Sequence, residues 1–79
     1  MDNNQAKKVF TAQELKILRQ SLPKGWQDKL AQQFALSPSF VSHILRGHAS
    51  NELVVLAAVE LATQHQNQIK MAKEAILTL

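Results

Sequence analysis

Ser37, Ser39, Ser42, His43 and Arg46 crowd into one short segment, SPSFVSHILR. Hydroxyls and an imidazole donate and accept hydrogen bonds, and a guanidinium holds anions through a rigid fork of donors. Nothing nearby would turn these groups into a nucleophile or a general acid. The chain has no cysteine, no carboxylates paired at a useful spacing and no Gly-rich phosphate loop. It also lacks a Ser-His-Asp set that so small a fold can bring together. Its histidines, His43, His48 and His65, share no ligand spacing and have no clustered carboxylates around them, so no metal is expected. The chemistry offered is recognition by hydrogen bond and charge. No enzyme activity and no cofactor are expected.

The elements that must position these groups are legible in the stretch QDKLAQQFALSPSFVSHILR, Gln27 to Arg46. It reads as two short amphipathic helices joined by a tight turn. Leu30, Ala31 and Phe34 face inward from the first of them, and Val41, Ile44 and Leu45 from the second. Ala31 falls where the two helices nearly touch. Ser37 followed by Pro38 is a start signal: the hydroxyl caps, and proline at the first helical position gives up an N–H that would be unpaired anyway. Gly47 ends the second helix as a left-handed residue. Apart from Phe40, the other positions of that helix are small, polar or basic, so it can face outward without loss of the fold. This is the pattern of a helix-turn-helix, whose second helix enters the major groove of DNA.

Around this unit the chain predicts further helices and no strand. Met1 to Val9 is polar and basic and reads as a flexible arm. Thr11 and Glu14 form a capping box, and Phe10 and Leu15 occupy the two positions of a hydrophobic staple. Leu15, Leu18 and Leu22 line one face of the first helix, with Lys16 and Arg19 off it, and Pro23, Lys24 and Gly25 turn the chain. A fourth helix starts near Ser50 or Asn51. The breadth of its apolar run LVVLAAVELA suggests burial on more than one side. Gln64 to Gln68 reads as a polar interruption, followed by a second apolar stripe of Ile69, Ala72, Ile76 and Leu79. The expected fold class is all-α: a compact four- to five-helix bundle containing the helix-turn-helix. One domain spans residues 1–79, with an arm over 1–9, the helix-turn-helix over 27–46 and a C-terminal helical region over 51–79.

Composition narrows the function classes. The 79 residues carry a net charge of +3, unevenly spread. Up to Ser50 there are seven Lys/Arg against three Asp/Glu; after it, two against three. A basic N-terminal part beside a nearly neutral C-terminal part suits phosphate contact on one side and protein contact on the other. No apolar run approaches the roughly 20 residues that span a bilayer, and the N-terminus lacks the apolar region of a secretory signal. With no cysteine as well, a cytoplasmic protein without membrane contact is expected. A core this small leaves modest stability, which dimerisation ordinarily supplements.

The twenty-residue unit resembles the lambda-repressor-like family, also called Cro-type or XRE-type regulators. The resemblance covers roughly Leu15 to Ala62. Gln27 matches the family's opening residue and Ala31 its small fifth position. Leu30, Phe34, Leu36, Val41 and Ile44 match its apolar positions, Ser37 its recognition-helix start, and Arg46 with Gly47 its close. Two residues depart from the pattern. Ala35 stands where the family usually has glycine in the turn, and Pro38 replaces a long polar reader of bases.

The resemblance implies a sequence-specific DNA-binding transcriptional regulator, a repressor, binding double-stranded DNA as a homodimer. It places Pro38, Ser39 and His43 against bases, Ser42 and Arg46 against the groove wall, and Gln27 at a phosphate. Ser37 either caps alone or also touches DNA. Phe40 packs on the sugar–methyl surface of DNA or covers the interface with the preceding helix. Lys24, Lys29 and the arm residues Lys7 and Lys8 are lesser electrostatic candidates, and His48 is a loop residue near Arg46. Trp26 reads as a lid on the core, and His65 as solvated. The C-terminal stripe has two readings: it folds back to complete the core, or, the favoured one, it forms a two-fold interface with helix four. A rival function keeps the fold and makes it a protein-interaction module, such as an antitoxin or anti-repressor, with a protein partner.

Overall fold

A chain whose only strong signals are helix starts and stops folds as those signals dictate. The computed structural model describes residues 9–79. It contains four helices: α1 (Ala12–Ser21), α2 (Trp26–Phe34), α3 (Pro38–Leu45) and α4 (Glu52–Leu77). There is no strand among the described residues. The expected basic arm falls, apart from Val9, outside the described residues, and Lys7 and Lys8 with it.

Local chemistry sets each boundary. Thr11 Oγ1 accepts from the Glu14 amide at 3.1 Å while the Glu14 carboxylate accepts from the Thr11 amide at 2.9 Å, closing the capping box. Gly25, at φ +83°, delivers the chain into α2 one residue earlier than Gln27, so Trp26 opens the helix and lies half-buried on the core as a lid. Ala35 ends α2 in the left-handed region at φ +57°. A Cβ there costs on the order of 1 kcal/mol, yet the turn keeps the form glycine would give it. The Leu36 amide donates back to the Ala31 carbonyl at 2.9 Å. At the start of α3 the Ser37 hydroxyl oxygen accepts from the Phe40 amide at 3.1 Å. At its end, Gly47 (φ +86°) lets the Gly47 and His48 amides donate to the Ile44 and His43 carbonyls. This is the paired hydrogen-bond pattern of a Schellman motif.

The core gathers one or more residues from every helix: Leu15 of α1, Leu30 and Ala31 of α2, Val41, Ile44 and Leu45 of α3, and Val54, Val55 and Ala58 of α4. Phe10, Leu18, Leu22, Phe34 and Leu36 pack around it. Burying an aliphatic side chain is worth roughly 1.5–3 kcal/mol, so these few side chains hold the assembly. α2 and α3, joined through Ala35, Leu36 and Ser37, make the most extensive helix pair. One cross-link was invisible in the sequence. Arg19, expected off the buried face, is half-buried, and its guanidinium donates to the Leu45 carbonyl at the end of α3.

α4 departs most from expectation. The polar run Gln64–Gln68 does not interrupt it, and the helix continues to Leu77. At 1.5 Å per residue its 26 residues extend about 39 Å, longer than the short helices beside it. Its buried positions end at Ala62. The reading in which the stripe folds back onto the core is therefore wrong: Ile69, Ile76 and Leu79 stand exposed. His65, expected to be solvated, is half-buried. The LVVLAAVELA run is covered on one side only, leaving Leu53, Leu56 and Val59 exposed on the other. No helix among the described residues is long and apolar enough to cross a membrane.

Candidate nucleic-acid interface

α3 owes its orientation to three side chains. Val41, Ile44 and Leu45 are at most 1% exposed, which fixes the opposite side of the helix outward. Ser39, His43 and Arg46, spaced i, i+4 and i+7, occupy that side and are all exposed. Both ends are held, by the Ser37 cap and Pro38 at one and by the Schellman bonds and Arg19 at the other. A short helix pinned at both ends presents its outer face with little freedom.

The candidate residues fall into two groups along this helix. Gln27, Pro38, Ser39 and Ser42 line one shallow cleft between the first turn of α2 and the first turns of α3. Gln27 and Ser42 are half-buried in it, while Pro38 and Ser39 are exposed. His43 lies further along, with its ring 5.3 Å from that of His48 and tilted by 53°. Arg46 borders a separate groove beneath the chain's entry, with Phe10, His48 and Asn51. The structure thus joins His48 to His43, a pairing that linear distance did not suggest, because the turn after Gly47 folds the loop back.

One residue of ambiguous role is clarified. Ser37 does cap, and its hydroxyl proton remains free to donate to an outside acceptor. Phe40 is 42% exposed, so part of its ring is open to solvent at the outside of α3.

Sequence reasoning missed Asp28. It is exposed in the first turn of α2, where a carboxylate complements the positive end of the helix dipole. It lines the same cleft as Gln27, Ser39 and Ser42, so a phosphate approaching Gln27 meets a like charge there. Its signal was in plain view: no other acidic residue occurs until Glu52. Beyond Asp28, the outer surface of α3 and the turn after it carries hydroxyls, the imidazoles of His43 and His48, the Arg46 guanidinium and the apolar Pro38 and Phe40, with no carboxylate. Among the described residues no three His, Cys, Asp or Glu side chains group as metal ligands. Such a surface can hydrogen-bond and attract anions.

Comparison with protein-family models, with curated proteins and with solved structures returned no match to this chain.

Proposed function

We propose that this protein is a sequence-specific DNA-binding regulator that inserts α3 into the major groove of a pseudo-palindromic operator, as a homodimer, and represses by occupying that site. The observation that carries the reading is the composition of α3: an apolar side wholly in the core, and an outward side of Ser39, His43 and Arg46 on a helix pinned at both ends. Phosphates supply most of the affinity and its salt dependence, and base contacts from α3 supply discrimination. Pro38 and Phe40 offer apolar contact, which suits thymine methyls, while Ser39 and His43 are the polar readers. Asp28 weakens phosphate contact at the Gln27 end and favours an amino group there, such as that of cytosine.

The test is selection from a random duplex library at near-physiological salt, with the Ser39→Ala/His43→Ala/Arg46→Ala protein in parallel. Enrichment of an inverted repeat with half-sites about 34–36 Å apart, lost in the triple variant, is the expected result. In follow-up binding assays Arg46→Ala weakens all duplexes alike, and His43→Ala erodes preference at one base step. If neither single variant changes binding, α3 is not the groove-reading element.

A second reading has its own observation. The exposed patch of Leu53, Leu56 and Val59 on α4 is apolar and faces away from the core, as a protein-interaction module of the antitoxin or anti-repressor kind would require. A stoichiometric protein that copurifies, and is lost on Leu56→Glu, would favour this reading. A chain that copurifies with nothing would argue against it.

A further inference from the structure

Written as heptads, α4 hides one unbroken pattern. Val55, Ala58, Ala62 and His65 recur at alternating spacings of three and four, and Ile69, Ala72, Ile76 and Leu79 continue the same series without a skipped step. On a straight helix such a series drifts by only about 20° per heptad, so the seven positions up to Ile76 share one side of α4, and Leu79 follows just past its last turn. Val55 and Ala58 lie in the core shared with α1–α3, Ala62 is buried and His65 half-buried. Ile69, Ala72 and Ile76 continue along that side of the helix and, like Leu79 just beyond its end, are exposed. Ile69 is 38% exposed, Ile76 65% and Leu79 103%.

We infer that this overhang is the seam of an antiparallel two-helix coiled coil with a second copy of the chain. Three observations select that occupant. The seam is the continuation of the core-facing side, so in a parallel pair the partner's α4 would have to run through the space that α1–α3 already fill. An antiparallel partner leaves in the other direction, and the two globules lie at opposite ends. The seam also mixes sizes, with Ala72 its one small residue. A two-fold axis near Glu74 sets Ile69 of one copy against Leu79 of the other and Ala72 against Ile76, so each small residue meets a large one. Parallel pairing would set Ala72 on Ala72 and leave a gap. Finally, the flanking positions Gln66, Gln68, Lys73 and Ala75 carry a single charge, which suits an uncharged, self-complementary contact better than a strongly charged partner. Four layers bury less than the roughly 1,200–2,000 Å² of a stable specific interface. The dimer is therefore reversible and concentration-dependent.

This deepens the dimer of the proposed function, and its test contains no DNA, so that the two readings fail separately. Sedimentation over about 1–300 µM, the range of a modest dissociation constant, should show a monomer–dimer equilibrium for the wild-type chain. Ile76→Glu and Ile69→Glu, at exposed positions whose folding is checked by circular dichroism, should each raise the dissociation constant at least about tenfold by placing a charge in the seam. Leu53→Glu, on the other side of α4, should leave it unchanged. Because the chain has no cysteine, orientation can be read from mild oxidation of an equal mixture of Ile69→Cys and Leu79→Cys chains, which should give the mixed disulfide. A monomer at every concentration, a dimer indifferent to Ile76→Glu, a dimer lost with Leu53→Glu, or a predominance of homodisulfides would each overturn the inference.

Discussion

The two halves of α4 carry the same register and meet different fates. Up to Ala62 its inward positions are the wall of a core. From Ile69 onward equivalent positions face solvent, although the backbone is continuous and the residue types are no less apolar. The difference lies in what stands opposite. α1, α2 and α3 are short, and the helix outruns them. Periodicity therefore defines which side of a helix seeks cover, and the lengths of its neighbours decide whether the chain itself provides it.

Substitutions matched between the halves turn this contrast into measurements, best made by urea unfolding at a concentration low enough to favour the monomer. The largest separation comes from proline. Ala57→Pro interrupts α4 beside the core and should cost more than about 3 kcal/mol, abolishing cooperative unfolding of the native state. Lys70→Pro should leave the unfolding midpoint close to wild type and remove only helical signal from the overhang. Global unfolding by Lys70→Pro would show that the second half packs on the globule after all. Truncation gives a smaller gap. Val55→Ala, at a position 4% exposed, should cost about 2 kcal/mol for the lost methyls and the cavity left behind. Ile69→Ala should stay within about 0.5 kcal/mol, as surface substitutions do. Equal losses at the two sites would erase the distinction. Smallest is the effect at the helix ends. Asn51 Oδ1 accepts from the Val54 amide at 3.3 Å, and Asn51→Ala should cost about 1 kcal/mol. The Thr78 hydroxyl donates only to the exposed Ala75 carbonyl, so Thr78→Ala should move the midpoint by less than can be resolved.

What was legible in the sequence was local. The Thr11–Glu14 box, the Ser37–Pro38 start, the Gly47 stop and the buried faces of α1–α3 each depend on residues no more than a few positions apart, and each formed as expected. What escaped was of two kinds. The bond from Arg19 to the Leu45 carbonyl joins residues 26 apart, and nothing in either neighbourhood announces it. The cleft around Asp28 and the contact of His43 with His48 likewise exist only once α2, α3 and the following turn are assembled. The continuity of α4 was obscured for another reason. Gln64, Gln66, Asn67 and Gln68 look like a break when read along the chain, but they lie off the heptad positions, and His65 occupies the one that falls within the run. The run withholds apolar side chains without supplying a helix-stopping glycine or proline. For the outward side of α3, the sequence indicated which residues are presented, and the structure adds how firmly they are held.

The shared register of α4 also makes the helix a counter. Each residue turns the backbone by 100°, so a single insertion between Ala62 and Ile69 would swing the exposed stripe about a quarter-turn out of phase with the core. Inserting seven would bring it back within about 20°, with the stripe displaced along the axis by about 10 Å. Drift in length through the polar run is thus geared: single steps disengage the stripe, and whole heptads carry it to a new distance still aligned.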